Sequence, residues 1–216
     1  MTRRDTAITV IETGLVRGYL HRPESPTGNG LVLTHGAGAN ANSPLLRAVA
    51  DAFAECGVQV LRCDLPFRQK RPFGPPSPMN ADEDRRGFKA AIHEMRTITP
   101  GRVFAGGHSY GGRQASILAA EEPGLVDALL LLSYPLHPPK KPANLRTAHF
   151  PALRTPAFFV HGTRDPFGSV EELSAALERI TAATQIVTIE AGHDLLGGKF
   201  DVFGVVVKPF HDTLAA

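Results

Sequence analysis

The chain has 216 residues, of which 43% are hydrophobic and 20% are charged, and its formal net charge is +2. This length and composition favour a single domain with a sizeable core, covering residues 1–216. The small net charge argues against a nucleic-acid partner, because such proteins usually carry a strong basic stripe. No apolar stretch approaches the roughly 18 residues of a membrane-spanning helix, so we expect no membrane partner.

The cysteine count and the N-terminal sequence indicate the cellular compartment of the protein. Two cysteines, Cys56 and Cys63, are too few for a disulfide framework. The opening MTRRDTAITV has paired arginines but no long apolar segment after them, so we expect no export signal. Both features favour a cytoplasmic protein.

The first predicted elements are strands, which are short β-rich apolar stretches that end at Gly, Pro or Asp. Thr13 and Gly14 separate the first two and predict a hairpin turn, so these two strands should be antiparallel. The later strands alternate with helices, which predicts a mostly parallel α/β sheet with helices on both faces. The eight predicted strands are residues 7–12, 15–22, 30–35, 58–64, 102–107, 128–134, 156–162 and 185–191.

Helices are predicted in the segments between the later strands. The first begins at Ser43, a favourable N-cap, has Pro44 in its first turn and stops at Gly57. The Pro-rich stretches 65–80 and 135–155 are predicted to be irregular. The predicted helices are residues 43–57, 82–97, 110–122, 169–181 and a final segment from Asp201.

The stretch RVFAGGHSYGGRQASILAA, residues 102–120, places one serine among glycines between a strand and a helix. Its central pentapeptide, 107–111, matches G-x-S-x-G, the nucleophile elbow, in which a sharp turn raises the serine hydroxyl above the sheet. The glycines avoid Cβ clashes, and the helix N-terminus favours developing negative charge. The alternative is a glycine-rich turn without chemistry. Because both flanking elements are predicted, we favour Ser109 as a nucleophile.

A serine nucleophile needs a base, and the base needs an orienting acid; the elbow motif places them later in the chain, acid first. Asp165 follows one late strand and His193 follows the last, so both lie at the carboxyl edge of the sheet, where such sheets build sites. Singly, each residue has a structural explanation in its loop. Asp64 also follows a strand, but it precedes the serine. We therefore predict that Asp165 is the acid and His193 the base.

The motif also predicts an oxyanion hole of two backbone N–H groups. One belongs to Tyr110, the residue after the nucleophile, and the other to a loop after an earlier strand. THGAGAN, residues 34–40, occupies that loop, and its small residues allow close approach to a substrate oxygen. We assign the second donor to Ala37, with Gly38 in reserve; an ordinary Gly-rich turn is the alternative.

With HGAGAN, GHSYGG, HGTRDPFG and AGHD in this order, the sequence resembles the α/β-hydrolases from about residue 30 to the C-terminus. It is most similar to small, lidless proteins near the dienelactone hydrolases, a group that also includes domains of chromatin-complex subunits. The resemblance implies an α/β-hydrolase fold and the nucleophile, acid and base roles for Ser109, Asp165 and His193.

The sequence departs from its relatives in two ways. Dienelactone hydrolases carry a cysteine nucleophile, so the serine at this position weakens an assignment of their substrate. Many family members insert a helical cap where this chain has only residues 135–155, so we expect an open site without a large cap.

The leading hypothesis is a serine hydrolase that cleaves small or short-chain carboxylic esters through an acyl-enzyme. Such an enzyme needs no metal or organic cofactor, and its partner is a small-molecule ester. The alternative from another class is a hydrolase-fold interaction module with a vestigial site. Acyl transfer or peptidase activity on the same triad is a third hypothesis.

Charged and aromatic residues near the predicted catalytic edge give weaker indications. The basic clusters 68–71 and 140–141 are interpreted as solvated loop charge, with attraction of an anionic substrate group as the alternative. Arg113 is interpreted as an exposed helical arginine. Four aromatic residues either wall an acyl pocket or belong to the core: Phe67, Phe73, Tyr134 and Phe167.

Overall fold

A computed structural model of the chain describes residues 6–196 and 201–215, and its centre is one eight-stranded sheet. The strands are β1 Thr6–Thr13, β2 Val16–Pro23, β3 Gly30–Thr34, β4 Gln59–Cys63, β5 Val103–His108, β6 Ala128–Leu132, β7 Ala157–Gly162 and β8 Thr184–Ile189. Their order in the sheet is β1-β2-β4-β3-β5-β6-β7-β8. Strands β3 to β8 run parallel, whereas β2 is antiparallel to β1 and to β4. The predicted hairpin and mostly parallel sheet are confirmed.

Six α-helices surround this sheet in the described part of the chain. They are α1 Pro44–Glu55, α2 Pro66–Lys70, α3 Ala81–Ile98, α4 Tyr110–Glu121, α5 Val170–Leu177 and α6 Lys208–Phe210. Short 3-10 turns lie at Pro78–Asn80 and Phe150–Ala152, and π-helical turns at Phe203–Val207 and His211–Ala215 flank α6. The final segment is therefore helical, as predicted. Among the described residues, we find no helix with the length and apolar content needed to span a membrane.

Both faces of the sheet are covered, because alternate residues of its parallel strands pack into different clusters. In β6, Leu129 and Leu131 belong to the cluster beneath α3, α4 and α5, whereas Leu130 and Leu132 belong to the cluster beneath α1 and the C-terminal helical turns. All five residues of this strand are buried. This explains its wholly apolar sequence, which is typical of a parallel strand with helices on both sides.

The structure corrects two element boundaries. Residues 65–80 are not irregular throughout, because α2 forms there with Pro66 in its first turn, where a missing N–H costs nothing. Helix α5 ends at Leu177 rather than 181, since the following amides bond to carbonyls three residues back and tighten the chain into a turn.

The carboxyl ends of the parallel strands meet at one edge of the sheet, and the loops that follow β3, β5, β7 and β8 lie there. Between β6 and β7, residues 133–156 contain one 3-10 turn and no helical cap. The predicted open edge without a large cap is therefore confirmed, and this edge holds the residues singled out from the sequence.

Candidate active site

Ser109 lies at the turn between β5 and α4, with a left-handed backbone at φ 51° and ψ −116°. Its N–H donates to the Leu132 carbonyl at 2.8 Å, which ties the turn to β6. The two motif glycines provide clearance against the end of β3. A Cβ at Gly107 would lie 2.1 Å from the Thr34 carbonyl oxygen, and one at Gly111 would lie 2.8 Å from the Thr34 side chain. The pattern G-x-S-x-G is thus a packing requirement of this sharp turn.

A continuous chain of hydrogen bonds joins the three residues predicted to form a triad. The Ser109 Oγ lies 2.7 Å from His193 Nε2, and His193 Nδ1 lies 2.8 Å from Asp165 Oδ2. A carboxylate only accepts hydrogen bonds, so Nδ1 carries a proton and Nε2 is free to accept from the serine hydroxyl. The Asp165 side chain is fully buried, whereas that of His193 is 21% exposed. This arrangement can pass a proton from the serine to the imidazole.

Neighbouring groups hold the two partners of Ser109 in place. The second oxygen of Asp165, Oδ1, accepts the Phe167 N–H at 2.9 Å. The Phe167 ring lies over the His193 imidazole, with ring centroids 4.2 Å apart and planes inclined by 33°. The loop after β7 therefore supplies both the carboxylate and an aromatic face for the imidazole.

His108, immediately before Ser109, also contacts His193. Its Nε2–H donates to the His193 carbonyl at 2.7 Å, and the two rings lie 5.1 Å apart. Burial lowers the pKa of His108 to about 4, so this histidine is neutral near pH 7. Sequence reasoning missed this residue, because only its place next to the nucleophile marked it.

The histidines at the ends of β3 and β7 use their ring nitrogens for structural contacts. His35 Nδ1–H donates to the Gly36 carbonyl at 2.9 Å, and its Nε2 accepts the Leu65 N–H at 3.2 Å. His161 Nε2–H donates to the Gly168 carbonyl at 2.8 Å. Both rings are fully buried.

Asp64, the other strand-end acid, serves the sheet and the loop after β3. Its carboxylate lies 3.1 Å from the Arg17 guanidinium and accepts the Ala41 N–H at 2.8 Å. Within residues 6–196 and 201–215, no group of three His, Cys, Asp or Glu side chains could hold a metal ion.

Ala37 and Tyr110, the predicted oxyanion donors, line the same cleft as Ser109. The N–H of Tyr110 is the first of α4, where no intrahelical acceptor exists. The Ala37 N–H belongs to the peptide group between Gly36 and Ala37. The carbonyl of this group, that of Gly36, accepts a hydrogen bond from the Ala39 N–H at 3.1 Å. A trans peptide points its N–H away from its carbonyl, so this bond fixes the direction of the donor.

Arg68 fastens this loop to the segment after β4. Its Nη2 donates to the Ala37 carbonyl at 2.8 Å and to the Gly74 carbonyl at 3.1 Å, and its Nε donates to the Ala39 carbonyl at 2.7 Å. Arg68 is only 4% exposed, so the interpretation of residues 68–71 as solvated charge is wrong at this residue. Sequence reasoning missed its role because two of these carbonyls lie about 30 residues away in the chain.

The cleft beside Ser109 has a volume of about 460 Å³ and a largely proline-rich wall. Its lining residues are Ala37, Pro75, Pro76, Ser77, Pro78, Ala81, Ser109, Tyr110, Arg113, Gln114, Pro135, Arg146 and Phe167. Of the four aromatic residues considered for an acyl pocket, only Phe167 lines it. Phe67 and Tyr134 are buried in the core, and Phe73 is 83% exposed. Arg113 faces this cleft and is half-buried, so its interpretation as an exposed residue is wrong.

A model of the alpha/beta hydrolase domain matches residues 27–200, which is most of the chain. A dienelactone hydrolase from Anabaena variabilis superposes with a TM-score of 0.68 and 21% identity, over 90% of each chain. An α/β serine hydrolase without a lid from Xanthomonas campestris gives a TM-score of 0.74 and 16% identity, over 98% of this chain and 96% of that one.

An esterase from Pyrococcus furiosus superposes equally well, with a TM-score of 0.74 and 16% identity over 99% of this chain and 92% of that one. At these identities the structural matches show a shared fold, and the family match covers the segment that carries Ser109, Asp165 and His193. The chain therefore belongs to the alpha/beta hydrolase domain family.

Proposed function

We propose that this protein is a serine hydrolase that cleaves small carboxylic esters through an acyl-enzyme. The observation that carries the proposal is the hydrogen-bonded chain from Ser109 Oγ through His193 to the buried Asp165 carboxylate. Ser109 also lies in a strained turn at a helix N-terminus and opens into a cleft large enough for a small ester. Strain of this kind is commonly found at functional sites.

In the first half-reaction, His193 Nε2 takes the proton of Ser109 as Oγ attacks the ester carbonyl carbon. Asp165 stabilises the imidazolium that forms and keeps Nδ1 as its donor. The tetrahedral intermediate collapses when His193 returns the proton to the departing alcohol oxygen, which leaves an acyl-serine. Water then attacks the acyl carbon, with His193 again taking and returning a proton, and the acid is released.

The negative charge of each tetrahedral intermediate falls on the former carbonyl oxygen. We assign its stabilisation to the backbone N–H groups of Ala37 and Tyr110. Both residues line the cleft with Ser109, and α4 adds the positive end of its dipole. One domain, residues 1–216, carries all of these groups in this proposal. The small cysteine content leads us to propose the cytoplasm as its compartment.

The test is covalent labelling of the purified protein with a fluorophosphonate, followed by mapping of the adduct by mass spectrometry. We expect an adduct on Ser109 that is absent in Ser109→Ala and strongly reduced in His193→Ala. Turnover of 4-nitrophenyl acetate should fall by a factor of about 10³ or more in both variants. Ser133→Ala is a matched control, because Ser133 is also buried with a left-handed backbone, at φ 47°.

Labelling and turnover that persist in Ser109→Ala would contradict the proposal. Wild-type protein that stays unlabelled, under conditions that label a control esterase, would favour the interaction module with a vestigial site. A loss of turnover in Ser133→Ala as large as in Ser109→Ala would show that the assay reports folding rather than the nucleophile.

A further inference from the structure

Two arginines share the cleft with Ser109. Arg113 lies one turn into α4, four residues after Ser109, and Arg146 lies in the connection between β6 and β7. Both line the cleft of about 460 Å³, and none of the described residues that line it is Asp or Glu. The cleft therefore places two positive charges beside the candidate nucleophile.

Neither guanidinium has an acidic partner in residues 6–196 and 201–215. Other arginines of the chain do: Arg85 Nε lies 3.1 Å from Glu121, and Arg17 lies 3.1 Å from Asp64. Among the described residues, the hydrogen bond of the Arg146 guanidinium is a long one, 3.4 Å, to the Pro135 carbonyl. Burial, and then the charge of Arg113, lower the pKa of Arg146. Two partly buried like charges without a counter-ion are unfavourable unless an anion occupies the space between them.

Two buried donors of the same cluster also lack a partner among the described residues. They are Arg113 Nε and Gln114 Nε2. Gln114 is fully buried, and its Oε1 accepts from Arg85 at 3.0 Å, so the amide orientation is fixed and both protons of Nε2 are unused. Buried donors in folded proteins nearly always have an acceptor. A ligand that brings acceptor oxygens and negative charge to this end of the cleft would both neutralise the two guanidinium groups and accept hydrogen bonds from the unpaired donors.

We propose that Arg113, Arg146 and Gln114 form a carboxylate-binding subsite, so that this protein selects esters that carry a free carboxylate. A guanidinium matches the two oxygens of a carboxylate with two parallel hydrogen bonds. The helical rise places the backbone of Arg113 about 6 Å along α4 from that of Ser109, so we expect a chain of a few atoms between the carboxylate and the scissile carbonyl. The inference rests on the proposed function, because it names the substrate class of the same site.

The basic clusters considered from the sequence do not take this role. Lys140 and Lys141 are exposed and do not line the cleft. Lys70 pairs with Glu83 at 2.7 Å, and Arg68 is occupied by backbone carbonyls. The selective charges are instead single arginines in two separate segments of the chain.

The test compares esters that carry a free carboxylate with the same compounds capped as methyl esters, and it follows release of the phenol so that only the aryl ester bond is measured. One pair is 4-nitrophenyl hydrogen adipate and its methyl ester, with the carboxylate on the acyl side. The other pair is 4-acetoxybenzoate and its methyl ester, with the carboxylate on the alcohol side. We expect kcat/KM for the charged member of one pair to exceed that of its neutral member by about tenfold or more. The pair that shows the preference identifies the side of the ester that faces the arginines.

Variants assign the preference to the subsite. In Arg113→Gln/Arg146→Gln the charged-to-neutral ratio should fall to about one. The matched control, Lys140→Gln/Lys141→Gln, removes the same net charge from an exposed loop and should keep the wild-type ratio. If circular dichroism shows that the double arginine variant does not fold, Arg146→Gln is used alone. This variant should fold, because Arg146 lies outside the sheet and helices, and it should lower the charged-to-neutral ratio several-fold.

Calorimetric titration with 6-oxoheptanoate, a ketone that carries a free carboxylate but has no ester bond to cleave, measures the subsite independently of catalysis. Binding to wild-type protein that the arginine variants lose would support the subsite even if no ester were turned over, which would count only against the proposed function. Ratios near one in both pairs, with Ser109 labelled by fluorophosphonate, would overturn the subsite and leave the hydrolase proposal standing. An equal fall of the charged-to-neutral ratio in the lysine variant would also overturn the subsite, since the preference would then come from general electrostatic attraction.

Discussion

The candidate site is built from two regions of different character. The elbow region, residues 103–121, comprises β5, the Ser109 turn and α4. The wall segment, residues 65–80, comprises α2, the Pro-rich loop and a 3-10 turn, and it closes one side of the cleft. The elbow region is recognised in the sequence by a short motif of adjacent residues, whereas the contacts of Arg68 in the wall segment, with carbonyls from the loop after β3, leave no such motif.

This difference sets what each region tolerates. In the elbow region, glycines are required because strands lie against the backbone on both sides. In the wall segment, a buried cation is tolerated only because backbone oxygens from separate segments surround it. A change at a motif glycine of the elbow region should therefore act on folding first, and a change at Arg68 of the wall segment on catalysis first.

The largest effect should come from Gly107→Ala. The added Cβ would lie 2.1 Å from the Thr34 carbonyl oxygen of the paired strand β3, at a backbone φ of 156°. Neither strand can retreat without breaking the pairing of β3 with β5. We expect a loss of more than about 4 kcal/mol in the free energy of unfolding, measured by urea denaturation, or failure to fold.

Gly124→Ala is the control for this substitution. Gly124 also has a positive φ, 84°, but a Cβ there meets nothing within 4 Å. Backbone strain alone should cost about 1–2 kcal/mol. If Gly107→Ala were no more destabilising than Gly124→Ala, close approach of β3 would not be the reason for the glycine.

The same contrast explains how far sequence analysis reached. The eight strands, the elbow and the positions of Ser109, Asp165 and His193 at one sheet edge followed from local patterns, since parallel strands bring their carboxyl ends together. Arg68 and Arg146 depend on contacts between distant segments, and their immediate neighbours in the sequence look like ordinary loop. For the four aromatic residues the sequence left an acyl pocket and the core as alternatives. Phe167 lines the cleft, whereas Phe73 is exposed and prolines form the wall on that side.

The next largest effect should come from Arg68→Met, which breaks the link between the wall segment and the oxyanion loop. Methionine keeps an apolar stem but leaves the carbonyls of Ala37, Ala39 and Gly74 without their donor. Under the proposed function, we expect kcat to fall by roughly tenfold to a hundredfold, because the loop that carries the oxyanion donor loses its fixed position. KM should change little, since Arg68 does not line the cleft.

Activity must be expressed per active site, titrated with the fluorophosphonate, so that misfolded protein does not count. Arg71→Met is the control in the same segment, because its guanidinium is exposed and, within the described part of the chain, makes one bond, to the Pro75 carbonyl at 3.0 Å. A purely structural role for Arg68 would lower the fraction of titratable sites and leave kcat per site at the level of Arg71→Met.

The smallest effect concerns Asp84, which joins the two regions. Its buried carboxylate accepts the Tyr110 hydroxyl of the elbow region at 2.8 Å and the Phe67 N–H of the wall segment at 3.0 Å. Burial raises the pKa of Asp84, and these two hydrogen bonds oppose the rise. Tyr110→Phe removes one of them, so we expect a loss of about 1–3 kcal/mol in unfolding free energy near neutral pH.

The pH dependence of that loss identifies Asp84 as its cause. An acid whose folded pKa lies above its unfolded pKa binds its proton more tightly in the native state. The free energy of unfolding therefore falls as the pH rises from the unfolded pKa through the folded pKa. Tyr110→Phe moves the folded pKa further up, which makes the difference from wild type largest above that pKa and smaller on acidification. Urea unfolding at about pH 8 and about pH 5 measures this change.

Tyr19→Phe is the control, because it removes a less buried hydrogen bond, to Asn42 at 2.8 Å, and should cost only a few tenths of a kcal/mol at both pH values. A Tyr110→Phe loss that stays constant with pH would assign the effect to packing of the ring rather than to the carboxylate that connects the elbow region to the wall segment.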